Sequence, residues 1–354
     1  MKKTETPGRI GPLEYAAGGV VGLLTMLLPL KFASLAVMPE ATSFFPGYWS
    51  AYIDITWPAH SFGLFSGAAL FLALAVFGWR AASPLRSPCG RTMLLWALGL
   101  PLAALPGLIN CDTPDYGIWE ILHLAGVGAY LWALYFVLAC RPEWRKTFLW
   151  LLAAGAGLVV YSGLRQYFVG FAETRRQYEE GILISEILRI KLEDDRVFAT
   201  FASCNVLAGY LVLVIPPVCY TLWRFGDRFE PEKVSRPLLA GIGAVFLGAV
   251  LLLTRGRGAL LAAVLAFGVG KLVARLGLPS ILGWRAGLIA LAGFTIAGGA
   301  VFAHCAGRGF GSVAERVDYL KTSFTMVMEK PLAGHGWGGF FYRHMQLKTT
   351  GTDE

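Results

Sequence analysis

Four residues of this chain have side chains suited to gripping an anion at a membrane surface: Arg196, Asn205, Arg255 and Arg257. Arg255 and Arg257 stand in "LLLTRGRGAL" (251–260), inside a long and otherwise apolar run. A guanidinium keeps its charge at any relevant pH and offers a fork of N–H donors that matches phosphate oxygens. A charge at the centre of a bilayer costs at least ~2.5–3.5 kcal/mol. These arginines therefore sit at a boundary or do work that offsets the cost. Converging guanidinium groups at a bilayer surface suit the headgroup of an anionic lipid, a pyrophosphate in particular. The alternative is that they anchor helix ends on lipid phosphates. Asn205, at the start of an apolar helix, bonds either a substrate hydroxyl or phosphate, or a neighbouring helix.

Base chemistry has fewer candidates. His335 and His344 lie in "GHGWGGFFYRHMQLK" (334–348), and an imidazole titrates near neutrality, which suits proton transfer. The catalytic residues stay unknown at this level, with these two as weak candidates for a general base. The glycine-rich stretch is not a P-loop, since no Gly-Lys-Ser/Thr follows it. His60, His123 and His304 fall at or within helix ends and read as structural. No HExxH, no paired metal-ligand spacing and no GxSxG occurs, so neither a metal nor a cofactor is expected.

The elements that position these residues are helices in a membrane. Of 354 residues, 56% are hydrophobic and 15% charged, and mean hydropathy is +0.57. Soluble domains carry nearer a quarter charged residues. This excludes a soluble multi-domain enzyme and implies an all-α polytopic membrane protein. A span needs about 20 mostly apolar residues, and such runs are expected near 15–37, 60–79, 92–110, 118–140, 148–169, 202–223, 238–254, 258–275 and 286–304. The first is too long for a signal-peptide core and reads as a retained helix.

The formal net charge of +8 belongs largely to alternate short loops. Lys2, Lys3 and Arg9 precede the first span. Arg80, Arg86 and Arg91 follow the second, Arg141, Arg145 and Lys146 the fourth, Arg224, Arg228, Lys233 and Arg236 the sixth, and Lys271, Arg275 and Arg285 the eighth. The segment 38–59 has no Lys or Arg, and "CDTPDYG" (111–117) is acidic. The excess thus sets orientation rather than nucleic-acid binding. The N-terminus is expected in the cytoplasm, and 38–59, 111–117, 170–201 and the region after 304 on the outer face, which in a bacterium is the periplasm or cell exterior. Arg196, the "RGRG" turn and the histidine-bearing tail then share that face.

Three regions are expected: spans one to five (1–170), an outer loop with spans six to nine (171–304), and the start of a large outer loop (305–354). Within the second, "ILISEILRIKL" is amphipathic and suits the interface plane, or else forms a short helix in a solvated loop. In the third, Val313, Val317, Leu320, Phe324 and Val327 recur at helical spacing, and Pro331 ends the helix. The six cysteines contain no CxxC pair; Cys111 and Cys305 on one face are either a disulfide or two unpaired small residues.

Three stretches together resemble one family. "RVFATFASCNVLAGYLVLVIPP" (196–217) is similar to its pattern of arginine, Thr-Phe and an asparagine opening an apolar helix. "LLLTRGRGALLAAVLAF" (251–267) resembles its Ser/Thr-Arg-Gly turn between helices. "YLKTSFTMVMEKPLAGHGWGGF" (319–340) resembles its amphipathic helix, Pro-Leu and Gly-x-Gly turn. The family is the O-antigen ligase and O-antigen polymerase superfamily of bacterial inner-membrane glycosyltransferases, and the resemblance covers roughly 190–345.

The resemblance implies a GT-C-like helical body and metal-independent transfer. The donor would be an undecaprenyl-pyrophosphate-linked glycan. The acceptor would be a lipid A core sugar, a growing polysaccharide or a protein. Arg196 and Arg255 match the pyrophosphate-binding arginines, with Arg257 beside them, and Asn205 matches the asparagine. The chain departs from the pattern in having Ala199 for a glycine, the extra Arg257, and neither a His-x-Asn-like sequence nor closing helices before Glu354. The expectation is that the protein continues past Glu354. The rival readings are a transporter or flippase of lipid-linked sugars, and a truncated lipid-binding relative without catalysis.

Overall fold

The computed structural model describes residues 11–32, 59–78, 87–111, 114–181, 192–193, 195–227, 235–256, 258–264, 268, 275, 311–331, 334–336 and 339–347. It is 88% helical and contains no strand among the described residues. The main helices are α1 (Pro12–Lys31), α2 (Ala59–Phe77), α3 (Pro88–Ala104), α4 (Pro114–Cys140), α5 (Arg145–Arg165), α6 (Phe171–Glu179), α7 (Cys204–Gly226), α8 (Ser235–Leu253), α9 (Gly311–Glu329) and α10 (Phe340–Leu347). Among the described residues, six helical segments are long and apolar enough to cross a membrane: Pro12–Lys31, Pro88–Ile109, Gly117–Cys140, Pro142–Glu179, Cys204–Gly226 and Ser235–Leu253. The protein is a multi-pass, all-α membrane protein. The second expected span is a shorter apolar helix, Ser61–Phe77. Only 258–264, 268 and 275 of the eighth span are described, and the ninth, 286–304, lies outside the described residues.

The chain divides into two compact units, Met1–Gly99 with Ala125–Leu260, and Leu100–Leu124 with Leu261–Glu354. In the first, α1 packs on α2 and α5, while α5, α7 and α8 pack on one another. One core holds Val159, Val197, Leu207, Leu211 and Val250, and a second holds Ala17, Val21, Phe77, Phe136 and Val137. Small residues permit the α1–α5 approach: a Cβ on Gly155 would lie 2.6 Å from the Met26 carbonyl oxygen. Spanning helices gain little from the hydrophobic effect between themselves, and close contact of this kind holds them together. A buried ion pair, Glu14 with Arg141, joins α1 to the residue after α4. Arg141 is therefore neutralised inside the fold, which removes one charge from its basic loop.

The fifth span does not stop at 169. After Arg165 the helix passes through a π turn, Gln166–Gly170, and continues as α6. Its charged turns are supported from within: Arg176 pairs with Glu173 at 2.9 Å (i,i+3) and lies 3.6 Å from Glu180 (i,i+4). Such pairs stabilise a helix outside the apolar zone. The start of the expected outer loop at 170 is thus helical to Glu179. Of the amphipathic stretch "ILISEILRIKL" only its last residue, Leu192, is described, and it is buried.

Candidate functional site: an arginine-bearing turn between two helix ends

Helix α8 ends at Leu253 and leaves carbonyls without partners along its own axis, as every helix does. Two carbonyls at this end are taken by the segment that leads into α7. The Val197 N–H donates to the Leu253 carbonyl at 3.2 Å, and Arg196 Nε donates to the Thr254 carbonyl at 3.0 Å. A cation at a helix C-terminus is also favoured by the dipole. Arg196 Nη2 donates to Asn205 Oδ1 at 3.1 Å, so the guanidinium spans the end of α8 and the first turn of α7. Ser203 caps α7, its hydroxyl accepting from the Val206 N–H at 3.3 Å.

The turn after α8 is held by Thr254, which is fully buried. Its hydroxyl donates to the Leu251 carbonyl at 2.6 Å and accepts from the Gly256 N–H at 3.2 Å. Arg255 then takes a left-handed conformation, φ +50°, with its side chain exposed. This is the helix-terminating position at which glycine or asparagine is usual. Arginine there costs about 1–2 kcal/mol of backbone energy. Non-glycine residues held in that region cluster at functional sites.

Asp195 (φ +50°) and Ala199 (φ +47°) have the same backbone hand in the facing segment. That segment is pinned from behind by a residue to which the sequence alone gave no role. Gln166, in the π turn and 5% exposed, accepts at Oε1 from the Phe198 N–H at 3.0 Å and the Ala199 N–H at 2.8 Å. π turns recur at functional sites. The signal available in the sequence was a lone carboxamide at the end of an apolar run. Thr200, also without a role in the sequence reading, donates to the Pro29 carbonyl at 2.7 Å and ties the segment to the end of α1. Arg175 pairs with Asp195 and donates to the Leu192 carbonyl at 3.0 Å.

The structure thus brings Arg196, Asn205 and the Thr254–Arg255 turn together within the first unit. Arg257 lies outside the described residues. The negative end of α8 is covered by Arg196 and the Val197 N–H, and the same guanidinium stands beside the first turn of α7. Glu120 and His123, on α4, belong to the second unit.

His335 and His344 also belong to the second unit, and each is 8% exposed. His344 Nδ1 lies 3.0 Å from the Thr322 hydroxyl; its ring stacks on Phe340 and meets Tyr319 edge-on. His335 Nε2 lies 3.2 Å from Glu329, which also receives Arg343 Nη2 at 2.8 Å. Both imidazoles tie α9 to the segment C-terminal to it. Cys111 lies against Gly336, and Cys305 is outside the described residues. Among the described residues, no group of three or more His, Cys, Asp or Glu side chains is arranged to hold a metal ion.

No family model, no curated protein and no solved structure matches this chain.

Proposed function

We propose that this protein is a glycosyltransferase of the O-antigen ligase and polymerase type. It takes a glycan from an undecaprenyl-pyrophosphate carrier and transfers it to a lipid A core sugar, a growing polysaccharide or a protein on the periplasmic face of a bacterial inner membrane. The full body on this reading is GT-C-like, with about nine spans of roughly 20 residues each. The observation that carries the proposal is Arg196 held between Asn205 and the Thr254 carbonyl, beside an Arg255 that adopts a costly backbone conformation to stand at the same turn.

The chemistry follows from charge development. When the acceptor hydroxyl attacks the anomeric carbon, the sugar–phosphate bond breaks and its electron pair leaves with the pyrophosphate. Guanidinium groups already fixed at a partly dry boundary stabilise that charge without reorganising. Arg196 is fixed in this sense, since two of its nitrogens are committed to oriented acceptors. Arg255, exposed at the turn, supplies the second positive charge. Asn205, with its carbonyl oxygen bound to Arg196, on this reading offers its amide donors to the same anion. The acceptor hydroxyl gives up its proton to a base within hydrogen-bond reach.

The test is transfer in vitro by the full-length protein from its native membrane, given purified lipid-linked glycan and acceptor. The proposal expects product and released polyprenyl pyrophosphate. Movement of intact lipid-linked glycan across a vesicle without bond cleavage would instead make the protein a transporter.

A further inference from the structure

The amphipathicity of α9 is turned outward. Its neighbour α10 packs on the side formed by Tyr319, Thr322 and Glu329: Tyr319 meets Phe340 and His344, Thr322 bonds His344, and Glu329 pairs with Arg343. The more apolar side is covered by none of the described residues. Leu320 (63% exposed), Phe324 (68%), Val327 (58%) and Met328 (67%) recur at i, i+4, i+7 and i+8 and share one face. In a domain surrounded by water, the stripe would face inward and the polar side outward. The exposure falls in the range of apolar positions on the spanning helices, such as Leu98 (54%) and Leu95 (72%).

The helix also sits at a defined level. Its last residue, Glu329, lies 3.2 Å from His335. A Cβ on the next residue, Gly336, would stand 2.7 Å from Cys111 Cβ and 3.0 Å from the Gly107 carbonyl oxygen. Residues 105–111 close the Pro88–Ile109 span and precede the Gly117–Cys140 span, so they mark one face of the bilayer. The C-terminal end of α9 is therefore held where hydrocarbon meets water. Lys321, exposed, borders the apolar stripe beside Met328, whereas the carboxylate of Glu329 lies on the opposite side.

From these relations we infer that α9 is an interfacial helix. Its Leu320–Phe324–Val327–Met328 face lies in the headgroup–acyl boundary of the bilayer that the spans cross, and Lys321 reaches lipid phosphates. Helices of this kind bury the apolar face about 5–10 Å into that boundary, and a lysine beside the stripe snorkels to the phosphates. The occupant of the face is lipid. The inference rests on the spanning helices and not on glycosyl transfer.

The test places a nitroxide on the full chain reconstituted in phosphatidylethanolamine–phosphatidylglycerol vesicles. p-Acetylphenylalanine, introduced singly at positions 320, 324, 327, 328 and 325, carries the label and leaves the native cysteines untouched. All five positions are exposed, so packing against α10 is retained. Collisions with oxygen, which concentrates in lipid, are compared with collisions with a water-soluble nickel chelate. Oxygen exceeding nickel at 320, 324, 327 and 328, with the order reversed at 325, is the expected result. Nickel dominating at the four positions would mean a solvated face. Low collision rates with both at the four positions would mean protein cover, such as a second copy. Either outcome overturns the inference.

Discussion

Arg196 and Asn205 are joined by a 3.1 Å hydrogen bond from Nη2 to Oδ1, while the same guanidinium caps α8 through the Thr254 carbonyl. One side chain thus serves structure and charge placement together. Arg196→Lys keeps the charge and loses the fork. On the proposed chemistry it should lower transfer about 100-fold, the magnitude of removing one oriented donor, with a smaller loss for Asn205→Ala. Initial rates with lipid-linked donor, on protein of verified folding, check this.

Arg255 separates function from stability. Its left-handed backbone favours glycine. Arg255→Gly should therefore unfold at a higher temperature than Arg255→Ala, by about 1 kcal/mol of relieved strain. Both variants should lose transfer. Thermal unfolding in detergent and transfer assays on the same preparations read the two effects separately.

Ala199 stands at φ +47°, a backbone conformation that glycine adopts without strain. Ala199→Gly should stabilise the protein by about 1 kcal/mol, again from backbone strain. The offsetting term is the extra freedom glycine gives the unfolded chain, so the gain should show as a modest rise in Tm with transfer unchanged.

Gln166 accepts two backbone N–H groups of the 196–200 segment. Gln166→Leu leaves both without that acceptor in a buried setting, at about 1–3 kcal/mol each. The expected result is a lower Tm together with weakened donor binding, because the segment carries Arg196. Hydrogen exchange at Phe198 and Ala199 should accelerate.

Glu14 and Arg141 form a buried pair away from the arginine-bearing turn in sequence. Arg141→Met leaves an uncompensated carboxylate and should cost about 3–5 kcal/mol. Adding Glu14→Gln should recover much of that loss, which a double-mutant cycle in chemical unfolding measures.

The helices were legible because apolar runs of spanning length leave few alternatives in a chain this poor in charge. Loop charge led to the expectation that Arg196 and the Arg255 turn share one face; that Arg196 bonds both Asn205 and the Thr254 carbonyl follows only from the packing of α7 on α8. Their functions are a proposal that this proximity supports. Gln166 was not legible. Its partners lie far along the chain, and the π turn that aims it has no pattern of apolar residues. The continuation into α6 was hidden because "AETRRQYEE" looks like a solvated loop until its i,i+3 and i,i+4 pairs are counted as helix support. The stripe on α9 was legible as a stripe. That it faces away from α10 follows only from the packing of Tyr319, Thr322 and Glu329.

The most direct test of the account is binding of polyprenyl pyrophosphate to the purified full-length protein in nanodiscs. Wild-type protein should bind it more tightly than polyprenyl monophosphate, with affinity falling as salt rises. Arg196→Gln and Arg255→Gly should each weaken binding about 10-fold or more, the size of one charge-assisted hydrogen bond lost. Equal affinity in wild type and in both folded variants would contradict the arginine clamp and the transfer reading built on it.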